Sequence, residues 1–177
     1  MEKTAEVYNR VSDAVPSSVW VLFENTFWPG LYKLDPAEVD YFFGLISRNN
    51  VGIMLDTSHL MAANPDLTSE AEGAEYICSV VKRLGSMKSL IKGIHLSCSL
   101  SGEYQRRVAG KIPGVVNVET IRHHIISMDQ HRPFATDAAK RIVECIDPLY
   151  VTHELFADDF SIPLDKVKLQ RRAMGKF

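Results

Sequence analysis

The sequence lacks the features that mark membrane, secreted and repetitive proteins. No apolar run approaches the ~20 residues that a membrane-spanning helix needs. The N-terminal segment MEKTAEVYNRVSDAV carries charges where a signal peptide has an apolar stretch. The chain also shows no low-complexity segment and no fixed-period repeat. These absences predict a cytoplasmic protein with no membrane partner, folded as a single domain over residues 1–177.

An excess of positive charge is missing as well. Lys and Arg number 20 against 22 Asp and Glu, which leaves a net charge of −2. Proteins that gain affinity by neutralising nucleic-acid phosphates carry a basic excess, so this balance argues against a nucleic-acid partner. Such a partner would require a local basic patch.

Cysteine is scarce, with only Cys78, Cys98 and Cys145. An odd number at wide spacing predicts reduced, mostly buried thiols and argues against a disulfide framework or a zinc knuckle. Cys98 has no obvious base nearby, so a structural role is predicted for it.

What the sequence does contain is the composition of a globular α/β protein. It is 46% hydrophobic and 24% charged, enough for one core. Continuous β-favouring apolar runs alternate with amphipathic segments at roughly 30-residue spacing, which is typical of parallel βα units. The five predicted strands are 19–23, 51–55, 90–96, 125–128 and 149–152. The predicted helices cover 2–15, 35 to about 49, 68–84, 136–146 and 163–174.

Three further interpretations concern the rest of the chain. Residues 117–124 are ambiguous between a short helix and a lead-in to the fourth strand, and the long polar loop at 97–114 is typical of a lid or substrate clamp. Helix 2–15 is predicted to face the core with its valines, and the aromatic core set is Trp20, Phe23, Phe42 and Phe43. The basic residues Lys166, Lys168, Arg171, Arg172 and Lys176 are interpreted as a solvated helix face.

A carboxylate or an imidazole stands at the end of every predicted strand. These residues are Glu24, Asp56 with His59, His95, Asp129 with His131, and Glu154. Parallel strands direct their carboxyl ends to one edge, where α/β proteins place their active sites. Any one of these side chains alone would ordinarily cap a helix or face water, but five such ends together predict convergence. Carboxylates and imidazoles without thiolates suit divalent zinc, manganese, iron or cobalt. His123, His124 and His153 are interpreted as ordinary surface or core residues.

The strand-end motifs resemble a known superfamily in order and spacing. Phe23-Glu24-Asn25-Thr26, Leu55-Asp56-Thr57-Ser58-His59, Ile94-His95-Leu96, Asp129-Gln130-His131 and Thr152-His153-Glu154 are similar to the later strands of the xylose isomerase-like TIM barrels. That superfamily includes sugar phosphate isomerases and epimerases and the AP endonucleases of family 2, the endonuclease IV type. The resemblance implies an incomplete TIM-type barrel of five parallel strands, equivalent to the fourth to eighth βα units. It also implies a divalent metal ion, zinc or manganese, held by Glu24, Asp56, His95 and Glu154.

Two activities follow from the resemblance, and the isomerase or epimerase is the leading hypothesis. On a small sugar or sugar phosphate, Glu24 and Glu154 would move protons beside a metal-polarised carbonyl, and His59 would contact substrate oxygens. The alternative is a metal-dependent phosphodiesterase of the endonuclease IV type, in which His59, Asp129 and His131 hold a further metal ion. Two departures count against it: Leu-Ser-Cys follows His95 where those enzymes resemble His-Leu-Asn-Asp, and Arg132-Pro133-Phe134 follows His131 in place of a glycine-rich turn. A non-catalytic truncated barrel is the third hypothesis.

The chain is short for this architecture. A TIM barrel needs eight βα units and usually about 250 residues. Five parallel strands that cannot close leave sheet edges exposed. The expected partner is therefore a second copy of the chain, or a missing N-terminal part that completes the barrel.

Overall fold

A computed structural model describes residues 1–27, 31–111, 117–156 and 163–175. These residues contain a parallel sheet of four strands: β1 (Val21–Glu24), β2 (Val51–Asp56), β3 (Ile91–Leu96) and β4 (Tyr150–His153). The strands lie side by side in chain order, and each pairs in parallel with the next. The predicted α/β class and parallel sheet are confirmed, with four strands in place of five in the described ranges.

Eight α-helices accompany the sheet in the described ranges. They are α1 (Glu2–Val11), α2 (Pro36–Gly44), α3 (Thr57–Ala62), α4 (Glu70–Arg83), α5 (Gly102–Val108), α6 (Val118–Met128), α7 (Ala138–Ile146) and α8 (Leu164–Ala173). Short 3-10 segments follow α1 at Ser12–Ala14 and α4 at Gly85–Leu90. Within the residues described, no helix is long and apolar enough to cross a membrane.

Local signals explain where the helices begin. Asp35 caps α2 by accepting a hydrogen bond from the Ala37 backbone N–H, with Pro36 at the first helical position. Ser69 and Glu72 form a reciprocal capping box at the start of α4. Asp56 ends β2 and also caps α3, so the change from strand to helix occurs at a residue of the predicted site.

The predicted strand at 125–128 is wrong, because these residues lie in α6. Asn117 begins this helix: its side chain accepts from the Thr120 backbone N–H, and the Thr120 hydroxyl accepts from the Asn117 backbone N–H. Ile125 and Ile126 are 49% and 38% exposed. A β-branched pair favours a strand only where a neighbouring strand covers it, and here the capping box sets a helix instead.

The core lies where β2 and β3 meet α4 and α7. Fully buried side chains from the sheet contact fully buried side chains of the two helices: Ile53, Leu55, Ile94, Leu96, Ala74, Ile77, Ala139 and Ile142. The continuous apolar sequence of β2 therefore reflects burial on both faces of the sheet, as in other parallel sheets.

Two predictions about core side chains are wrong. Trp20 is 51% exposed and lies under the Lys92 ammonium. Phe23, Phe42 and Phe43 do belong to the core or pack against it, and Phe23 meets the other two rings edge to face. Helix α1 ends at Val11 instead of Val15, and its valines face outward, because Ala5 and Tyr8 form its buried face. Trp20 precedes the first ladder residue of β1, so no neighbouring strand covers it.

The prediction that all three cysteines are reduced thiols is also wrong. Cys78 in α4 and Cys145 in α7 form a disulfide with a Cα–Cα distance of 5.9 Å. They are 67 residues apart in sequence, and only the packing of α4 against α7 brings them together. Cys98 is free and buried, and burial raises its pKa to about 12, in keeping with the predicted structural role.

The polar segment predicted to be a lid is partly built into the fold. Ser97, Ser99 and Ser101 are buried, and α5 follows them. The Gln105 side chain donates to the Ala62 carbonyl at 2.7 Å, which ties α5 to the end of α3. Residues 112–114 of this segment and Lys176 lie outside the described residues, as does Trp28-Pro29-Gly30, a sequence typical of a turn.

Candidate metal centre

Four side chains from the ends of the four strands converge at one edge of the sheet. Glu24 ends β1, Asp56 ends β2, His95 is next to last in β3, and Glu154 follows β4. The ladder register places Asp56 beside His95. One candidate ligand atom from each of the four lies within 4.8 Å of the others. The convergence expected from the strand ends is therefore present, and metal binding by this strand-end group stays a prediction.

The imidazole of His95 shows why a cation would fit this group. Its Nδ1 atom lies 2.5 Å from Glu154 Oε2, 3.2 Å from Glu24 Oε1 and 3.8 Å from Asp56 Oδ2. One ring nitrogen carries at most one proton and cannot donate to three carboxylates. Glu154 Oε2 is itself buried without an aligned hydrogen-bond donor. Several oxygens and one nitrogen facing a common point are the ligand types and arrangement of a divalent metal site.

Asp56 has a carboxylate oxygen that receives no hydrogen bond from the residues the structure describes. Oδ1 accepts from the His59 backbone N–H at 2.8 Å. Oδ2 is buried and accepts no hydrogen bond, although His131 Nε2 lies 3.5 Å away and His59 Nδ1 3.8 Å away. A buried carboxylate oxygen without a partner is costly. Oδ2 is therefore the strongest candidate ligand atom of the centre.

A second group with metal-ligand geometry shares Asp56 with the first. Asp56, His59 and His131 also have candidate ligand atoms within 4.8 Å of one another. His59 lies in the first turn of α3, whereas His131 lies in the segment between α6 and α7 with a φ of +42°. Positive φ in a residue other than glycine is uncommon and tends to occur at functional sites. We call Asp56, His59 and His131 the loop group.

Asp129 connects the two histidines of the loop group. Its Oδ2 lies 2.9 Å from His59 Nε2, and its Oδ1 lies 3.0 Å from His131 Nδ1 and accepts from the Ser58 hydroxyl at 3.0 Å. The trio predicted from the sequence, His59, Asp129 and His131, is thus brought into contact. The structure adds Asp56 to it, which the sequence reading assigned only to the first metal.

The tautomer of His59 follows from its contacts. Nδ1 lies 2.8 Å from the Asn25 carbonyl oxygen, which can only accept, so Nδ1 carries a proton. Nε2 then faces the Asp129 carboxylate. A histidine that donates one ring N–H to a carbonyl and directs the other nitrogen toward a carboxylate-lined site has the usual arrangement of a metal ligand.

In the metal-free chain the neighbouring carboxylates raise the pKa values of the three imidazoles of the centre. Burial lowers the pKa of His59, but the hydrogen bond to Asp129 and the charges of Asp56 and Asp129 outweigh it and raise that pKa to about 9. Burial also lowers the pKa of His131, but the contacts with Asp129 and Asp56 and their charges outweigh burial and raise that pKa to about 10. The close contacts of His95 Nδ1 with Glu154 and Glu24, and the charges of these two carboxylates, raise the pKa of His95 to about 10.

The pKa values of the carboxylates shift in opposite directions. Burial raises the pKa of Asp56 in spite of the neighbouring imidazoles. Burial also acts to raise the pKa of Asp129, but its contacts with His131 and His59 prevail and lower it to about 2. The close contact with His95 lowers the pKa of Glu154. Without metal, therefore, protons on three imidazoles offset most of the negative charge of the four carboxylates.

Residues that the sequence reading did not assign hold the centre in place. Asn25 is fully buried, accepts from the Asp56 backbone N–H at 2.8 Å and donates to the Asp56 carbonyl at 3.0 Å. Its side chain thus joins the end of β1 to the end of β2. Gln170 of α8 is also fully buried: its amide donates to the Leu96 carbonyl at 2.8 Å and accepts from the Phe134 backbone N–H at 3.0 Å. Asn25 could have been suspected from its place in the FENT motif, whereas nothing in the sequence around Gln170 points to burial.

The remaining histidines belong to neither group in the ranges that the structure covers. His124 Nδ1 lies 2.9 Å from the Tyr104 hydroxyl, and the His123 ring packs against the same tyrosine. His153 Nδ1 accepts from the Gln170 amide at 2.8 Å. These contacts agree with the ordinary surface or core roles expected for them.

Comparisons of the chain with family models, with curated proteins and with solved structures gave no match. The geometry of the centre therefore carries the functional argument.

Proposed function

We propose that the chain hydrolyses a phosphoester with two divalent metal ions that share Asp56. The observation that carries the proposal is the position of Asp56 Oδ2, 3.8 Å from His95 Nδ1 of the strand-end group and 3.5 Å from His131 Nε2 of the loop group. Two-metal hydrolases hold their ions about 3.5–4 Å apart and use them to stabilise the attacking and leaving oxygens. A carboxylate oxygen that lies between two histidine-containing groups could bridge such a pair of ions.

Charge balance supports two ions. Glu24, Asp56, Asp129 and Glu154 bring four carboxylates to the centre. When the three imidazoles are neutral, as metal ligands must be, the protein contributes four negative charges. Two divalent cations offset that charge, and one does not.

The protein's own groups can supply the rest of the chemistry. In the bound state the ions would lower the pKa of a coordinated water and polarise the phosphoryl oxygens. Glu24 and Glu154 have side chains 35% and 38% exposed, so either can accept a proton from water at the edge of the centre. Asp129 would orient His131 through its contact with the ring Nδ1, opposite the Nε2 that faces Asp56.

The resemblance to xylose isomerase-like barrels is consistent with this proposal. Four parallel strands in chain order, with ligands at their carboxyl ends, are what a segment of a (β/α) barrel presents. We further propose that a second copy or an N-terminal part covers the edges at β1 and β4. A cytoplasmic location stays a prediction, and the Cys78–Cys145 disulfide weighs against it because stable disulfides are rare in the cytosol.

The test is a metal titration of chelator-treated protein. Manganese or zinc is added in steps, bound metal is counted by elemental analysis, and hydrolysis of bis(p-nitrophenyl) phosphate is followed at each step. We expect two ions per chain and a rate that appears with the second. Asp56→Asn should bind neither ion. Its matched control is Asp66→Asn, because Asp66 is an exposed aspartate that pairs only with Arg106 in the described ranges, at 3.7 Å. A rate complete at one equivalent, or two bound ions without hydrolysis, would overturn the proposal.

A sugar or sugar-phosphate isomerase or epimerase is the second candidate. The observation in its favour is that Glu24 and Glu154 both contact His95 Nδ1, so two carboxylates face each other across a group that could hold one ion by itself. This candidate predicts one functional ion and exchange of a carbon-bound substrate proton with deuterated solvent. Metal binding without hydrolysis or exchange would instead favour the non-catalytic truncated barrel.

A further inference from the structure

A positively charged cavity lies beside the candidate metal centre. It has a volume of about 660 Å³ and is bounded by α5, α6, the segment after α6, and α8. Arg107, Arg122, Arg132 and Lys166 line it, and the part of the wall that is described contains no Asp or Glu. The chain has a net charge of −2, so this basic surface is a local feature that total charge conceals.

The three arginines of the cavity have no carboxylate partner among the described residues. Among the residues the structure covers, Arg107, Arg122 and Arg132 form no ion pair within 4.0 Å of a carboxylate. Arg107 lies over the Tyr104 ring at 5.2 Å, and Lys166 donates to the Phe156 carbonyl at 2.9 Å. Positive charges collected in one cavity repel each other, and an anion would relieve that repulsion.

The cavity and the metal centre share a wall. His131 belongs to the loop group and also lines the cavity. The Phe156 ring stacks on His131 with centroids 4.5 Å apart, and the Phe156 backbone N–H donates to the His131 carbonyl at 3.2 Å. The Lys166 ammonium donates a hydrogen bond to the carbonyl of the same Phe156. The cationic cavity is therefore fixed directly beside the carboxylate-rich centre.

We propose that this cavity binds a phosphate group of the substrate other than the one at the metal centre. Guanidinium groups bind phosphate through paired N–H donors, and the cavity offers three of them. Its volume falls in the range of small-molecule sites, about 300–1,000 Å³, so a phosphate with an attached sugar or ring fits. The catalytic role of this phosphate rests on the proposed function, whereas its binding does not.

The binding test uses the full chain treated with a chelator, with inorganic pyrophosphate as the probe in isothermal titration calorimetry. We expect the double variant Arg107→Gln, Arg122→Gln to weaken pyrophosphate binding about tenfold or more, because two charge-assisted contacts are lost. Both arginines are exposed, so the fold should survive, and circular dichroism checks this. The control is Arg171→Gln, Arg172→Gln, which removes the same charge from exposed positions on α8. No pyrophosphate binding, or an equal loss in both double variants, would overturn the proposal.

Two competitors identify the source of the phosphate. A 5′-phosphorylated thymidine dinucleotide and glucose 6-phosphate are each tested for displacement of pyrophosphate. Displacement by either supports the phosphate site and names the class of ligand, and displacement by neither overturns it.

Kinetics then separates this inference from the proposed function. With metal bound, the Arg107→Gln, Arg122→Gln variant should raise KM for the phosphorylated dinucleotide and leave bis(p-nitrophenyl) phosphate unaffected, since that ester has no second phosphate. An equal rise in both KM values would contradict a separate site. If neither ester is hydrolysed, the proposed function is wrong. The displacement experiment still tests whether the cavity binds phosphate.

Discussion

The two groups that share Asp56 are built in different ways. In the strand-end group Glu24, Asp56 and His95 lie in the hydrogen-bond ladder of the sheet, which pairs Asp56 with His95, and Glu154 directly follows β4. In the loop group His59 comes from the first turn of α3, and His131 from a segment held by its contacts with Asp129 and Phe156. A ladder fixes many positions together, whereas a loop depends on a few individual bonds. We therefore expect the strand-end group to be the more rigid, and the loop group to be more easily lost.

Removing the shared ligand tests whether the two groups are one centre. Asp56→Asn should abolish binding of both ions at micromolar metal, because each group loses the carboxylate oxygen that has no other partner. Elemental analysis after equilibrium dialysis measures this, with Asp66→Asn as the control. Burial raises the pKa of Asp56, so the neutral amide should cost the metal-free chain little stability. A folded Asp56→Asn protein that keeps one ion would show that the groups are independent.

Variants that lose a ligand of only one group test whether each group binds metal independently. Glu24→Gln should reduce the metal content from two ions to one by weakening the strand-end group, and His131→Gln should do the same to the loop group. Loading with cobalt distinguishes the two remaining ions, because the visible absorption of each depends on its ligands. If both variants lost both ions, neither group could bind metal without the other.

The raised pKa values of the imidazoles predict how metal binding depends on pH. His59, at about 9, and His95 and His131, at about 10, stay protonated at neutral pH in the metal-free chain and must lose those protons to bind metal. Metal affinity should therefore rise with pH up to about 9 to 10, and saturation with metal at pH 7.5 should release about three protons. Calorimetry in buffers of different ionisation enthalpy counts them. Release of less than one proton would contradict the assigned ligands.

The stability of the metal-free chain should follow the opposite trend. The three folded-state pKa values lie above the usual 6.5, so the charged imidazoles stabilise the fold fully below pH 6.5. That contribution is lost as the pH rises through 9 to 10. Urea denaturation of chelator-treated protein at pH 7 and pH 10 checks the sign.

The difference between the groups also explains how much the sequence could predict. Glu24, Asp56, His95 and Glu154 follow apolar runs, and the rule that parallel strands end at one edge was enough to bring them together. Asp129 and His131 lie at the centre although their predicted strand is wrong, because backbone hydrogen bonds between Arg132 and Cys98 hold the segment after α6 against the residues that follow β3. Neither the path of the segment that carries His131 nor the disulfide could be predicted from the sequence, since both depend on how distant segments pack. The sequence shows no basic cluster that would predict the cavity, because the four cations come from separate parts of the chain.

The smallest predicted effect concerns the support of the loop group. Gln170 is the buried amide that joins β3 to the segment after His131, through the Leu96 carbonyl and the Phe134 backbone N–H. Gln170→Leu keeps a similar volume but leaves both backbone groups and His153 Nδ1 without this partner, so it should lower the free energy of unfolding by about 1–3 kcal/mol. Because Phe134 lies three residues after His131, the metal of the loop group should also bind more weakly, while the metal held by Glu24 and His95 serves as the internal control. Urea denaturation and metal titration measure the two effects. A variant that lost stability but bound both ions as tightly as before would show that the loop group does not depend on this anchor, and the proposed contrast in rigidity between the two groups would be wrong.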